Sequence, residues 1–516
     1  MELDEVRRWA RRRGIAAAQF RRVHQAALLH VASRMLQAIH RESRTARHAQ
    51  DGRGRWTLEV GRLKLPASAP LPFRGLEVLA IPRGFLGALQ RALRGTEYAR
   101  VFARLRADFD NSAANVTLNR LLGPRARAIE PAYQGHQYYP FPALRIGPSL
   151  EQVLGCSHLN RAPVDLPLLE TGPLRLVSVS YDSHAEFFRA WSGLEAGPAA
   201  LLPVHPWQVR LSPLVRALAG SVSRRGIEVM PLASQRTCRV LRTGFDLKLP
   251  VDATLTGEHR LLYGLNCENA PLVSALAEHA RRESGLRSIA FQADVASIYH
   301  AEPAAAPHLS AIVRAPVRAR PGEVLVPAIN LWTGRMEARR FLHGSRIEEF
   351  FAGYCRALMK GPVEFCAHWG MAFEPHLQNV YVGLRGGLPV RIVLRDLDNS
   401  ILDPRRIRAR LRALGGTLAK DTWQHMPSYE DGGKRMVQAL MFGHLGEVMR
   451  SLQRDYRINA QKLAAIVEDT WSALAAAAPS AAGRDAVLRL RGWSDSIKAT
   501  LRTRLHRAHA LQFVRE

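Results

Sequence analysis

The sequence predicts an α+β fold in about three lobes: a helical start, a middle of short strands and a mostly helical end. Three observations carry this. Val23, Ala26, Ala27, His30, Val31, Met35, Leu36 and Ile39 recur at three- and four-residue steps, the period of one helix face, so residues 1–50 read as helical. From about 160 to 335, short β-type runs dominate, among them "LRLVSVSY", "VLRTGFDLKLPVDATL" and "AIVRAP". After 345 the helical period returns, broken by one strand pair, "QNVYVGLRGGLPVRIVLRD", whose "RGG" centre is a hairpin turn signal. Between these, residues 55–82 look strand-like, 85–122 helical, and "LVSALAEHARRE" forms a helix inside the middle region. The predicted parts are 1–155, 156–340 and 341–516. No repeat of 20–50 residues and no long low-complexity linker interrupts them.

Composition narrows the function classes. Apolar content of 47% describes a globular chain with ample core. The formal net charge of +28 raises nucleic acid or an anionic membrane as partners. The basic residues are spread along the whole chain and are nearly all Arg, which favours an anionic small molecule over a DNA-binding stripe. Cys156, Cys238, Cys267, Cys355 and Cys366 lie far apart without C-x-x-C spacing, as expected of reduced thiols in a cytoplasm. No run of 18 apolar residues predicts a membrane span. "VRRWARRRGIAAAQFRR" lacks an apolar stretch after its Arg pairs and reads as a surface helix, not a targeting signal.

The familiar nucleotide and hydrolase motifs are missing. There is no Walker A loop, no G-x-G-x-x-G after a strand, no G-x-S-x-G elbow and no H-E-x-x-H. Anion binding without a Gly-rich loop needs side chains, and "SQRTCRVLRTGFDLKLP" supplies them: hydroxyls, Arg for bidentate contact, Lys as a point charge. Ser234 and Arg236, two apart, are expected on one face of an extended strand. Thr243–Gly244 makes a turn, and Lys248 returns on the polar face with Asp252, Thr254 and Thr256, followed by Arg260. A hairpin with its polar face in water explains the same pattern. Cations crowded on one face without acids would repel, which favours a bound anion.

In "FEPHLQNVYVGLRGGLPVRIVLRDLDNS", Glu374, His376, Gln378 and Asn379 precede the hairpin and Arg395–Asp396 closes it. The fold of a hairpin predicts that Asp396 returns beside His376 and Asn379. Carboxylate and amide oxygens are the hard ligands that Mg²⁺ accepts next to nucleotide phosphates, although a satisfied hairpin corner accounts for them equally. In "LLPVHPWQVR", His205, Trp207 and Gln208 read as a structural corner, with Trp in the core and His capping a backbone group.

Together these stretches resemble the NRPS-independent siderophore synthetases, the IucA/IucC-type family. The resemblance rests on "LPVHPWQ", on "SQRT" with "KLP" twelve residues after its Arg, on Thr256 and Arg260, on "EPHLQN" and on "RD", and covers roughly 130–400. It implies a cupped hand of thumb, fingers and palm, a mainly antiparallel sheet, and a homodimer. It implies an ATP-dependent ligase that adenylates a carboxylic acid, typically citrate, and condenses it with an amine or hydroxyl, releasing AMP and pyrophosphate. ATP would be held by Ser234, Arg236, Thr237, Lys248, His376 and Gln378, with Arg236, Lys248 and His376 in catalysis. The substrate carboxylate would meet His136, Arg145, Thr256 and Arg260, and Mg²⁺ the group Glu374, Asn379 and Asp396. One motif departs: G-H-P-x-H-P-x-x-K-x-R-x-G meets "GHQYYPFPALRIG", so Gln137, Tyr139 and Ala143 stand for the first Pro, the second His and the Lys. That change bears on substrate identity. A kinase-like phosphotransferase is the rival enzyme reading, and a basic nucleic-acid binder the rival from outside enzymology.

Overall fold

The computed structural model describes residues 1–43, 45–70, 77–123, 130, 135–136, 138–159, 162–194, 201–218, 222–332, 337–342, 346–418, 422, 424, 428–494, 496–498 and 513–515. The order of elements is helical, then mixed, then helical, as the periodicities predict. Helices Leu3–Arg12 and Ala17–Glu42 open the chain, but Ala46–Gln50 is a strand that pairs antiparallel with Trp56–Val60. Helical reading of that stretch fails because its alternation is short and sits within reach of the next strand. Leu63–Ala67 completes this small sheet. It packs with the helices Ala17–Glu42 and Phe102–Leu122 around an apolar core that includes Met35, Leu58 and Phe109.

The middle of the chain forms an eight-stranded antiparallel sheet. Thr237–Val240 and Asp246–Lys248 lie at its centre and pair with each other across the Thr243–Gly244 turn. Asp246–Lys248 also pairs with Ser310–Arg314. The run then leaves this sheet: Val251–Leu255 belongs to a separate three-stranded sheet with Glu258–Arg260 and Arg145–Ile146. Pro250, which has no N–H to offer a ladder, stands at the switch.

A four-stranded sheet carries the hairpin Val380–Arg385 and Leu388–Leu394. Its two-residue turn is Gly386–Gly387, both left-handed (φ 57° and 78°), the conformation that matches strand twist and that glycine adopts without cost. The sheet packs on helix Ile347–Glu364, whose Phe350, Phe351, Tyr354 and Leu358 are fully buried in the largest core. Helices over Tyr429–Leu440, Gly446–Tyr456, Ala460–Ala476 and Ala481–Gly492 close that core. Among the described residues no helix is long and apolar enough to cross a membrane.

Candidate active site

All of the site residues named from the sequence line one open cleft. They reach it from four chain segments that the fold brings together. The register of the hairpin does part of this: Val380 faces Leu394, the Arg395 N–H donates to the Asn379 carbonyl at 3.0 Å, and Asp396 follows at the rim. Glu130 ties two of the segments. Its carboxylate accepts from the Ala233 N–H at 3.0 Å and pairs with Arg395 at 2.6 Å, so the turn before Arg236 and the strand end before Asp396 share one buried acid.

The polar face of the central hairpin points into the protein, not into water. Lys248 is 1% exposed, and its Nζ donates to Asp396 Oδ1 at 2.9 Å and to Asp398 at 2.6 and 2.8 Å. Arg314 pairs with Asp294 at 2.8 Å, with Asp398 at 3.1 Å and with Asp396. Lys248 is therefore compensated, contrary to the expectation of uncompensated cations on that face. Burial alone would raise the Asp396 carboxyl, but Lys248, Arg314 and Arg236 together hold it well below the carboxylate range. Burial raises Asp294, with Asp398 adding to the rise and Arg314 opposing it.

Ser234 and Arg236 do not sit on a strand. They belong to a tight turn ahead of Thr237–Val240, with Gln235 between them in the left-handed region at φ 67°. The Ser234 hydroxyl accepts from the Thr237 N–H at 3.1 Å. Arg236 makes one long contact, to the Leu261 carbonyl at 3.4 Å. Arg260 donates to the Thr256 hydroxyl at 2.7 Å and to the Leu255 carbonyl. Arg145, 1% exposed, meets only amide oxygens. Among the described residues, Arg145, Arg236 and Arg260 form no ion pair, whereas Lys248, Arg314 and Arg395 all do. Burial lowers Arg236 and Arg145 to about 10, still well inside the charged range at neutral pH. Arg236 and Arg260 thus present guanidinium charge to the cleft outside any direct ion pair, while Arg145 spends its donors on amide oxygens.

His376 stands in the same cleft. Burial lowers its pKa, although Glu374 and Asp396 oppose the shift, and its Nδ1 has no hydrogen-bond partner among the described residues. Its ring meets His136 edge-on at 5.1 Å, and His136 meets Tyr139 at 4.8 Å. The loop holding His136 closes on itself: the His136 N–H donates to the Pro142 carbonyl at 2.8 Å, and a Cβ at Gly135 would lie 2.3 Å from that oxygen. Tyr139 and Ala143 line the cleft, Ala143 from within the N-terminal apolar core; Gln137 lies outside the described residues. Glu374 pairs with Arg435 at 2.6 Å, and Asn379 donates to the Glu374 carbonyl at 3.2 Å.

Behind His376, helix Tyr429–Leu440 widens into a π-helical turn at Met441–Leu445, a local insertion common at functional sites. There His444 is buried, with one ring nitrogen 2.8 Å from the Pro375 carbonyl and the other 2.6 Å from the Tyr354 hydroxyl. The carbonyl only accepts, so Nδ1 carries the proton and Nε2 accepts from the tyrosine. A Cβ at Gly443 would lie 2.9 Å from the His376 Cβ. Gly443→Ala should therefore push His376 out of register and slow turnover about tenfold, since small misplacements at a reacting centre are expensive. Unchanged turnover would mean that the site tolerates movement of His376.

Residues 126–333 match the IucA / IucC family, and residues 348–512 match the family described as Ferric iron reductase FhuF-like transporter. Residues 126–333 are thus the part of the chain that is similar to the IucA / IucC family. No curated protein matches it. Three solved structures of siderophore-biosynthesis proteins share the fold. Petrobactin biosynthesis protein AsbB from Bacillus anthracis str. Sterne superposes with a TM-score of 0.76 at 15% identity, covering 96% of this chain and 95% of its own. ATP-bound aerobactin synthetase IucA from a hypervirulent Klebsiella pneumoniae gives 0.76 at 14% identity, covering 94% and 98%. Aerobactin synthetase IucC from the same source gives 0.67 at 16%, covering 96% and 98%. The chain shares with them the mixed architecture, antiparallel sheets and helical C-terminal region.

Several cleft residues escaped the sequence reading. Asp398 lies two residues after Asp396 in "RDLDNS", and its second acid was a usable signal. Asn399 donates to Asp396 from the same loop. Arg314 ends an apolar strand, and Asp294 begins another; only strand pairing reveals that they meet each other, where Arg314 shares Asp396 and Asp398 with Lys248. His205, Trp207 and Gln208 hold the scaffold: His205 caps helix Pro206–Leu211, Trp207 is buried, and Gln208 accepts from the Asp252 N–H at 2.6 Å.

Proposed function

We propose that this protein is an ATP-dependent siderophore synthetase that adenylates a carboxylic acid, citrate or a citrate derivative, and condenses it with an amine or hydroxyl. The supporting observation is one cleft that combines two guanidinium groups outside any ion pair, Arg236 and Arg260, with a paired carboxylate cluster. Two anions, ATP and a carboxylate, repel each other, and a basic cleft offsets that cost. The ATP named for IucA of the same fold points the same way.

In the proposed chemistry a carboxylate oxygen attacks the α-phosphorus of ATP, the bond to pyrophosphate breaks, and an acyl-adenylate forms. Negative charge grows on the phosphoryl oxygens, where Arg236 in its preorganised turn stabilises it. Ser234 and Thr237 flank the phosphates, and Lys248 acts through Asp396 and Asp398, which it holds in place. His136, Thr256, Arg260 and, as first read, Arg145 surround the acid. The amine or hydroxyl then attacks the acyl carbon, and AMP leaves with the electron pair of the mixed anhydride. His376, neutral and with an open Nδ1, is the acceptor proposed for the proton lost by the nucleophile; Gln378 borders it.

The donor set suits Mg²⁺ shared with phosphates. Among the described residues no three acidic, His or Cys side chains cage a metal by themselves. Asp396 and Asn379 offer hard oxygens at the cleft, and Glu374 joins them if its pair with Arg435 opens. When bound there, Mg²⁺ would supply charge neutralisation of the phosphates. Residues 1–155, 156–340 and 341–516 are proposed as thumb, fingers and palm. Five free buried thiols support a reducing cytoplasm, and a homodimer is the expected assembly.

The deciding experiment is product analysis with ATP, a panel of carboxylic acids and hydroxylamine as trapping nucleophile. Pyrophosphate, AMP and a hydroxamate are expected. ADP in place of AMP would identify a phosphotransferase and overturn the reading.

A further inference from the structure

Three of the motifs meet at one residue. Gln235 lies between Ser234 and Arg236 with a left-handed backbone at φ 67°, a region that non-glycine residues enter only when their surroundings hold them. It is held from both ends. Its Oε1 accepts from Arg145 Nε at 2.6 Å, and its carbonyl lies 2.9 Å from His205 Nε2. The carbonyl can only accept, so His205 carries its proton on Nε2, and its Nδ1 accepts from the Trp207 N–H at 3.1 Å. Burial lowers His205 to about 4, which keeps it neutral in this arrangement at working pH.

Arg145 is equally committed. Its other two nitrogens donate to Asn115 Oδ1 at 2.8 Å and Asn119 Oδ1 at 3.1 Å, both from helix Phe102–Leu122. With 1% exposure and three amide oxygens around it, the guanidinium turns its donors into the wall and not toward the cleft. We infer that Arg145 and Gln235 are positioning residues: Arg145 and His205 clamp Gln235 in its left-handed conformation, and the clamp aims Ser234 and Arg236 into the cleft. This moves Arg145 from substrate carboxylate to nucleotide alignment, and it rests on the ligase reading only for what Ser234 and Arg236 bind.

The test is a double-mutant cycle of Arg145→Met and Gln235→Met in the full chain, read by calorimetric titration with MgATP and by titration of the acid substrate. Each single variant should weaken ATP binding about tenfold, and the double variant by about the same factor, not about a hundredfold, because the two side chains act through one contact. Acid affinity should stay near wild type in all three. A rise confined to the acid KM in Arg145→Met, or additive losses, overturns the inference. Backbone amide exchange over 232–237 supplies a readout that needs no ligand. It should quicken equally in both singles and the double, and wild-type exchange in Gln235→Met also overturns the clamp. Wild-type protein that neither binds ATP nor releases pyrophosphate, with the clamp signature intact in exchange, sinks the ligase reading and leaves the clamp standing.

Discussion

Arg236→Met is expected to lower ATP-dependent pyrophosphate release by about two to three orders of magnitude, the usual loss when one preorganised charge stabiliser is removed from a reacting centre. The size follows from its setting. Arg236 lines the cleft, forms no ion pair among the described residues, and keeps its guanidinium charged although burial lowers it to about 10. Arg236 acts on Asp396 only through space, and Lys248 and Arg314 still pair with that carboxylate when Arg236 is removed, so the fold should survive. The change also relieves repulsion with Arg260, whose charge contributes to lowering Arg236. The expected pattern is a urea midpoint at or slightly above wild type together with a collapse of kcat. Measuring both on one preparation separates the outcomes. A variant that retains turnover would remove Arg236 from the phosphate side, and one that unfolds would make it a structural residue.

What the sequence made legible follows local physics. The hairpin at Gly386–Gly387 was readable because a two-residue left-handed turn has a glycine signature, and the register it sets then brings Asp396 back to Asn379. The helical face of Val23 to Ile39 was readable for the same reason. Less legible was direction. Alternation in "GFDLKLP" marks two faces but does not say which faces water, and both are buried, one at Asp246 and Lys248 and the other at Leu247 and Leu249. Nor does alternation foresee that Gln235 bends the chain before the strand begins. Arg314 and Asp294 were invisible for a different reason: each is a lone charge at a strand end, and only pairing between distant strands gives them partners. The π-helical turn at Met441–Leu445 has no periodic signature, and its effect on His376 appears only in three dimensions.

Lys248→Met should destabilise the fold by about 3–5 kcal/mol, the range for breaking a buried ion pair by removing one partner. Lys248 and Asp398 are each 1% exposed, and Asp396 and Asp398 would be left facing each other with Arg314 as their main direct counter-charge. The pH dependence has a definite sign. Asp396 is held below its unfolded value of about 3.9, so its contribution to stability is complete above that pH and lost as pH falls through the folded value. Without the lysine the folded value rises, and acid unfolding should begin at a higher pH than in wild type. Lys248→Met/Asp398→Asn should regain a large part of the lost stability, because it removes the stranded charge together with its partner. It should not regain turnover, since Asp396 would still lack the ammonium group that fixes its position in the cleft. Urea titration at neutral and acid pH, with pyrophosphate release on the same variants, checks all of this. Recovery of both stability and turnover in the double variant would show that the carboxylate pair serves the fold alone; recovery of stability without turnover ties the cluster to the chemistry of the cleft.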